Sequence, residues 1–479
     1  MIYSNLEFLL LLPALVIWFY SLKTARGQNA LLLIVSTIFL AWTNLWNLVP
    51  AFGVLAVGYL WFRLDAQFKL GTKSLALMIA ILVMQLIYLK YRDFIAETFR
   101  VSLPIPAALA VLIPLGISFY TFEAISAMVD IHRRRARVPV ASWGLFILFL
   151  PHLIAGPIVR WRQLSPQFGF AKHFTSRGVR VGLHLFTIGF LKKMAADPIG
   201  RIIDPIWSMP DQVSGPNLAL ALLGFYAQLY LDFSGYTDMG RGIARMLNFR
   251  LPVNFRAPFF AHNPGAFYQR WHVSLSSWIR TFVYDTLAVA VFRRFRRRQQ
   301  QNRALFVVIL IVMAIFGLWH GSSWHFVLFG VTQGLVIILW SVTTKGKNPK
   351  TLGGWIASLT MLQATWLFSL ILFRSNNLFM AGKFMTGLLR PSFHIDPVLF
   401  WCLAAVAGTM LSQAIDYYVK NRRVARSLAF LRGTKLGAFL VCLTLATALA
   451  VKISADAKAI NARGGETKAA SEGFIYFRF

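Results

Sequence analysis

The stretch ALFVVILIVMAIFGLW, Ala304 to Trp319, contains sixteen consecutive uncharged residues and leads directly into His320. It follows the basic run FRRFRRRQQQNR, Phe292 to Arg303. A helix of this length rises about 24 Å, which is most of the ~30 Å hydrocarbon core of a bilayer. The stretch therefore predicts a membrane helix that starts at a basic interface and carries His320 past the bilayer midplane.

Similar apolar segments recur on both sides of this helix, from Leu9 to Val451. The 479-residue chain is 57% hydrophobic and only 14% charged, whereas soluble domains carry about 25% charged residues. Segments in lipid must satisfy their backbone hydrogen bonds internally, which these can do as helices. We predict an all-α, polytopic integral membrane protein with about ten to twelve transmembrane or re-entrant helices. Residues 1–479 are expected to form one domain.

The charge is strongly asymmetric, with 49 Lys and Arg against 17 Asp and Glu and a net charge of +32. The basic residues lie mainly in short loops, where the positive-inside rule and anionic lipid headgroups account for them. No basic soluble domain is available to bind nucleic acid, so we exclude that partner. Because the loops after the first, third and fifth apolar segments are purely basic, the N-terminus is predicted to lie outside.

The two cysteines, Cys402 and Cys442, both lie in apolar stretches. Their spacing predicts neither a disulfide framework nor a zinc site. The N-terminal segment has an acidic residue before its apolar run and basic residues after it, opposite to a signal peptide, so we expect a retained first helix.

Polar residues are concentrated between Asp232 and Arg280, in a part of the chain that cannot face lipid. This region is predicted to be re-entrant or buried among helices, lining a cavity. Asp232 and Asp238 are close in sequence to Arg241 and Arg245, which favours structural ion pairs over a proton relay. Glu123, within another apolar segment, must be neutral or paired.

Three histidines are candidates for chemistry. His320 stands in GLWHGSSW among small residues, and an imidazole is a suitable general base for an alcohol; the alternative is a buried histidine that only bonds a neighbouring helix. His272, in YQRWHVSLSSW, can equally be an interfacial anchor. His325 is not at the i,i+4 spacing of a zinc pair with His320, and no carboxylate is adjacent, so we predict no metal site. A serine-hydrolase motif of the GxSxG type is absent.

Several motifs resemble the membrane-bound O-acyltransferase family over almost the whole chain. The likeness is to the bacterial branch that includes the alginate O-acetylation membrane subunit and the teichoic-acid D-alanyl transfer protein. The most specific pair is RWHVSLSSW with GLWHG, whose histidines are separated by 47 residues. The other stretches, in order, are PLGISFYTFEAIS (Pro114 to Ser126), PHLIAGPIVRW (Pro151 to Trp161), DFSGYTDMGRGIARMLNFRLPVNFRAPF (Asp232 to Phe259), LFRSNNLFMAGKF (Leu372 to Phe384) and FIYFRF (Phe474 to Phe479).

The resemblance implies a ring of helices around a thin centre, where a cytoplasmic tunnel meets an outer funnel. It implies that His320 is the catalytic residue and that His272 is a second one close to the tunnel. One segment departs from the branch: after Trp278 the sequence reads IRTFVYDTLAVAVFRRFRRR, with Thr281 in place of an aspartate and without the usual Gly-Gly turn. This departure lies where the resemblance leads us to expect the cytoplasmic entrance of the tunnel.

The resemblance leads to the expectation of an enzyme in the bacterial cytoplasmic (inner) membrane that transfers an acetyl group outward. The expected donor is a cytoplasmic thioester, acetyl-CoA, with no permanently bound cofactor. The expected acceptor is a hydroxyl on an extracytoplasmic acetyltransferase partner protein or on a cell-surface polysaccharide. Three alternatives remain: D-alanyl transfer from a carrier protein to teichoic acid, a transporter or flippase for a lipid-linked sugar, and a structural or scaffold role.

Overall fold

The computed structural model describes residues 3–42, 44–101, 113–134 and 138–418, with side chains to residue 414. Throughout these ranges the regular secondary structure is helical, so the all-α prediction is confirmed. Cys442, the apolar segment near residues 437–453 and the terminal motif Phe474 to Phe479 lie outside the described residues. So do residues 135–137 of the basic loop after the fifth segment.

Contacts divide the chain into two compact units, residues 1–190 with 236–252 and residues 191–235 with 253–479, as far as each is described. The chain passes between them within two long helices, α9 (Ser176–Ser208) and α10 (Gly215–Met246). The prediction of a single domain over the whole chain stays a prediction.

Among its described residues, the first unit holds eight α-helices before α9. They are α1 (Leu6–Ser21), α2 (Ala25–Ala41), α3 (Leu48–Phe68), α4 (Thr72–Leu86), α5 (Arg92–Phe99), α6 (Ile117–Arg134), α7 (Val140–Leu148) and α8 (Trp161–Leu164). Its core is aromatic, because Tyr3 stacks on Tyr236 with ring centroids 4.5 Å apart and Trp143 is fully buried. The Trp143 ring occupies the space beside Gly58, where a Cβ atom would lie 2.3 Å from it.

Up to Tyr418, where the described part of the chain ends, the second unit holds eight α-helices after α10. They are α11 (Pro264–Tyr268), α12 (Val273–Ile279), α13 (Asp285–Arg294), α14 (Arg298–His320), α15 (Trp324–Thr344), α16 (Leu352–Arg374), α17 (Leu378–Gly387) and α18 (Phe400–Tyr418). A π-helical turn, Arg280–Tyr284, joins α12 to α13 without a break.

Within the described ranges, seven helical segments are long and apolar enough to cross a membrane, and they confirm a multi-pass membrane protein. They are Leu45–Phe68, Thr72–Phe99, Gly215–Met246, Arg298–His320, Trp324–Thr344, Leu352–Arg374 and Pro397–Ala414. The shorter helices α1 and α2 are also apolar. The predicted number of ten to twelve also included re-entrant segments and a segment beyond the described residues. The ring with a central tunnel, implied by the resemblance, stays a prediction.

The polar region from Asp232 to Arg280 divides into two parts. Its first part continues as regular helix to the end of α10 at Met246 and is mostly buried. Only the chain between α10 and α12 is largely irregular, and it contains the short helix α11. The prediction of burial among helices is therefore correct, and the re-entrant alternative applies at most after Met246.

Candidate active site

His320 is the last residue of α14, and its side chain is buried, with 5% exposed. The helix ends there because Gly321 takes an extended backbone conformation, and α15 starts after a short turn at Trp324. Aromatic rings surround the imidazole, with centroid distances of 4.9 Å to Phe316, 4.9 Å to Trp319, 6.0 Å to Phe329 and 5.1 Å to Phe373. A histidine at the end of an apolar helix is thus enclosed in a largely apolar shell.

Two glycines let α14 and α15 pack with their backbones in contact beside His320. A Cβ atom on Gly317 would lie 2.0 Å from the carbonyl oxygen of Phe326, and one on Gly330 would lie 1.9 Å from that of Met313. Neither contact can be relieved by a side-chain movement, since both involve backbone atoms. The small residues noted in the GLWHG motif therefore serve close helix packing.

His325 lies on α15, and its role is structural. Its Nδ1 lies 2.9 Å from the carbonyl oxygen of Leu372, which can only accept, so Nδ1 carries the hydrogen. This bond holds α15 to the end of α16, where Phe373 contacts the ring of His320. His325 thus helps to position Phe373, which forms part of the surroundings of His320.

His272 precedes α12 and is fully buried. Its backbone lies in the left-handed region, with φ at 43°, a conformation that is uncommon for a residue with a side chain. The Nδ1 atom lies 3.2 Å from Oδ1 of Asn254. The ring packs edge-on against Phe233, with centroids 4.6 Å apart, and at 5.7 Å against Trp319. The ring is buried inside the protein, whereas an interfacial anchor would face the lipid headgroups.

The structure brings the two predicted histidines together through one side chain. Trp319 contacts both rings, at 4.9 Å to His320 and 5.7 Å to His272. Sequence reasoning did not single out Trp319, although its place directly before His320 in GLWHG was visible. It also missed Asn254, whose pairing with His272 spans 18 positions and leaves no local signal.

Burial lowers the pKa of His272 to about 3, because a charged imidazole would lose its hydration there. The ring is therefore neutral at physiological pH. A neutral imidazole can accept a hydrogen bond or a proton through one nitrogen while it donates through the other. That is the state required of a base or hydrogen-bond acceptor.

A cavity of about 460 Å³ is lined by neighbours of both histidines, although neither imidazole is part of its lining. Its lining includes Phe316, which contacts His320, and Val273, which follows His272. Its charged and polar lining residues are Arg256, Tyr268, Gln269, Ser276, Ser277, Arg280 and Tyr284. The rest of the lining is apolar and comes from α14 and α15, together with Gly265, Val273 and Ile279. The predicted cavity in the polar region is thus present.

The segment that departs from the bacterial pattern forms part of this cavity. Arg280 and Tyr284, at the two ends of the π-helical turn, both line it. In place of a Gly-Gly turn the chain continues into α13 and the exposed arginines before α14. π-helical turns often mark functional positions because they rotate side chains out of the regular helical register.

Asp232 and Asp238 form ion pairs with basic side chains, but the partner of Asp232 differs from the predicted one. Asp238 is 2.9 Å from Arg241, as predicted. Asp232 instead pairs with Lys193 of α9, at 2.8 Å, and Asp197 lies 2.6 Å from the same Lys193 amino group. The lysine lies 39 positions before Asp232, so sequence proximity pointed to the wrong cation.

Glu123 is paired as well, within the first unit. It lies 3.1 Å from Nδ1 of His152 and accepts the backbone N–H of Val159. Over the residues that the structure describes, no group of three or more His, Cys, Asp or Glu side chains could hold a metal ion.

The profile of MBOAT, the membrane-bound O-acyltransferase family, matches residues 2–382. The chain belongs to this family. It is 31% identical over 404 residues to a probable alginate O-acetylase, AlgI, of Azotobacter vinelandii, an alignment that covers 80% of this chain and 77% of that protein. It is 28% identical to the peptidoglycan O-acetyltransferase of Helicobacter pylori, over 72% of this chain and 69% of that protein.

A more partial match is to the teichoic acid D-alanyltransferase of Bacillus subtilis, 28% identical over 48% of this chain and 60% of that protein. Membership of the family, the O-acetylase relatives and the apolar helices together make this protein a multi-pass membrane O-acetyltransferase. The two histidine motifs lie within the part of the chain that matches the MBOAT profile.

Proposed function

We propose that this O-acetyltransferase takes an acetyl group from a cytoplasmic thioester, acetyl-CoA, and transfers it to a hydroxyl presented on the outer side of the bacterial inner membrane. The observation that carries the proposal is the placement of two buried histidines around Trp319, near a cavity that Arg256 and Arg280 line. The N-terminus lies outside in this arrangement, and the arginine-rich segment before α14 lies inside.

The cavity fits a phosphorylated thioester. Arg256 and Arg280 supply positive charge for phosphate groups, while the apolar side of the cavity suits an uncharged chain that ends in a thioester. Phe316 forms part of the wall and contacts His320, so the acyl group would reach the histidine at this end.

His320 then acts as general base. It takes the proton of the acceptor hydroxyl as the oxygen attacks the thioester carbonyl, the C–S bond breaks, and the proton passes to the leaving thiolate. The products are an ester on the acceptor and a free thiol. His272, neutral and adjacent to Trp319, assists as a hydrogen-bond acceptor. The aromatic shell keeps water from the thioester.

The acceptor is a hydroxyl on a partner acetyltransferase protein or on a cell-surface polysaccharide. Relatives that span most of this chain are O-acetylases for alginate and peptidoglycan, whereas the D-alanyltransferase covers about half of it. This favours acetyl over D-alanyl transfer. A flippase or transporter would leave both histidine motifs without a use.

The test compares His320→Ala with wild type in cells that lack the native gene. Mass spectrometry of surface glycans should show O-acetyl groups reduced at least ~100-fold, since general-base catalysis contributes about 10²–10⁴-fold. The amount of protein in the membrane should not change. His173→Ala is the matched control, because that side chain is exposed. Full acetylation in the His320 variant contradicts the proposal, and a loss of D-alanyl instead of acetyl groups supports the alternative.

Sealed vesicles test the donor and its side. Inverted membrane vesicles should transfer label from acetyl-CoA added outside, whereas right-side-out vesicles should not, because the charged donor cannot cross the bilayer. Labelling in right-side-out vesicles alone would place the donor on the wrong face.

A further inference from the structure

We propose that Asn254 is a positioning residue that holds His272 in the tautomer with hydrogen on Nδ1 and the lone pair on Nε2. The inference rests on the proposed participation of His272 in acyl transfer. It concerns a residue outside both histidine motifs, in the segment Leu251 to Phe255 between α10 and α11.

The orientation of the Asn254 amide is determined by a backbone group. The N–H of Ser274 lies 3.1 Å from Oδ1 of Asn254, and a backbone N–H can only donate. If the amide were flipped, its NH2 group would face this N–H, and two hydrogen-bond donors would be in contact. The hydroxyl of Ser274 lies 3.0 Å from the same atom and can also donate to it. The atom that faces His272 is therefore the carbonyl oxygen.

The tautomer of His272 follows from this orientation. A carbonyl oxygen only accepts, so Nδ1 of His272, 3.2 Å away, must carry the hydrogen. Because burial keeps the ring neutral, it carries one hydrogen only, and Nε2 holds a lone pair. Neutral histidine in water divides between two tautomers, and this contact selects the one with a basic Nε2.

The surrounding backbone holds the two residues in register. The carbonyl oxygen of Asn254 accepts the N–H of Val273 at 2.9 Å, and the N–H of Arg256 donates to the carbonyl oxygen of Arg270 at 2.9 Å. Asn254 is buried, and its side chain caps the start of α12 from outside the helix. The left-handed backbone at His272 is thus stabilised by a segment that also sets the orientation of its ring.

The direct test reads the tautomer by nitrogen NMR of the full-length protein in nanodiscs, with 15N-labelled histidine. Protonated and unprotonated ring nitrogens have well-separated resonances, and His272→Gln identifies the signals that belong to this residue. We expect Nδ1 to be protonated in the wild type. A wild type with the hydrogen on Nε2 would overturn the proposal.

Three variants separate the contact from a general effect on folding. Asn254→Ala removes the acceptor and should populate the other tautomer. Asn254→Asp keeps an oxygen in place and should retain hydrogen on Nδ1. Ser274→Ala removes only the hydroxyl donor to Oδ1 and should behave as wild type. An unchanged tautomer in a folded Asn254→Ala variant contradicts the proposal. If Asn254→Ala does not fold, the spectra of the wild type and of Asn254→Asp still show whether Nδ1 of His272 carries the hydrogen.

Activity shows whether the tautomer matters. We expect Asn254→Ala to lower kcat at least about tenfold with little change in KM, since it removes a correctly oriented base or acceptor. In the His272→Gln background the same substitution should cost nothing further. A tautomer change without loss of kcat would show that Asn254 is structural only. If the chain transfers no acetyl group at all but the tautomer responds as expected, the proposed function fails while the Asn254 contact stands.

Discussion

At the residue scale, the immediate surroundings of the two histidines differ in a way that suits different tasks. His320 is enclosed by aromatic rings, including those of Phe329 and Phe373. His272 has an amide partner in Asn254. An apolar shell excludes water from a thioester, whereas a fixed polar partner orients a ring. In the proposed mechanism, the first environment suits a protected reacting centre and the second an oriented hydrogen-bond acceptor.

The lowered pKa of His272 predicts a specific effect of acid on stability. Between pH 6.5 and about 3 the unfolded chain binds a proton at this residue and the folded protein does not. The neutral ring therefore makes its full contribution to the free energy of unfolding above this window, and that contribution falls as the pH drops below 6.5. Going from pH 7 to pH 5 should cost the wild type roughly 2 kcal/mol more than His272→Gln. Thermal unfolding of the detergent-solubilised proteins at both pH values measures the difference. Equal acid sensitivity of the two proteins would show that His272 is not buried as a neutral ring.

The Lys193 cluster is a second buried polar group near this region, and we assign it a structural role. Its amino group is shared between Asp197 on the same helix and Asp232 on α10. Asp232 directly precedes Phe233, whose ring packs against His272. An ion pair in the protein interior contributes more to a defined position than to stability, because desolvation of the charges offsets much of their attraction.

At the scale of elements, the contact between α14 and α15 determines where His320 lies. The two helices approach until backbone meets backbone at Gly317 and Gly330. This proximity brings Phe329 of α15 and, through His325, the end of α16 to the same imidazole. The position of His320 therefore depends on three helices.

A single methyl group between these helices should displace the site. Gly317→Ala places a Cβ where the Phe326 carbonyl lies 2.0 Å away, so α14 and α15 must separate at a cost of about 3 kcal/mol. We expect a clearly lower melting temperature together with loss of acetyl transfer. Unfolding and activity measured on the same preparation test this prediction.

Gly382→Ala is the matched control. It lies in the interior of α17 with nothing within 4 Å of an added Cβ, and alanine has the higher helix propensity by about 1 kcal/mol. Its stability should be equal to or greater than that of the wild type, and its activity should be unchanged. Equal tolerance of the two substitutions would mean that α14 and α15 are not in backbone contact.

At the scale of the whole molecule, the distribution of charge predicts the orientation in the membrane. The exposed arginines between α13 and α14 begin one span, and the lysines Lys345, Lys347 and Lys350 separate α15 from α16. The three consecutive spans α14, α15 and α16 then cross the membrane in alternating directions, which places the segment after α17 on the outer side. Phe393 in that segment is fully exposed.

Cysteine labelling tests this topology. In a chain with Cys402→Ser and Cys442→Ser, a membrane-impermeant thiol reagent should label Phe393→Cys in intact spheroplasts and Gln299→Cys only in inverted vesicles. An N-terminal tag should be accessible in spheroplasts. The reverse pattern at Gln299 and Phe393 would place the donor cavity on the wrong side of the membrane.

Much of the fold and the centre of the site follow from linear features. Apolar segments of membrane length predict helices, because lipid leaves no other partner for their backbone groups. His320 is conspicuous as an ionisable residue at the end of such a segment, and the RWH and GLWH motifs suggested its relation to His272. The partners of Asp232 and of His272 were not predictable in this way, since Lys193 and Asn254 lie 39 and 18 positions away.

The sequence by itself determined the helical membrane class, the family resemblance and the two candidate histidines, since these depend on local composition and on motifs read in order. The tertiary structure alone decided that Trp319 contacts both histidines and that Asn254 contacts Nδ1 of His272. It also decided that the atypical segment after Trp278 lines the cavity. The physical reason is that hydrogen bonds and ring contacts depend on distances of a few ångströms between segments, which only the packing of the helices sets.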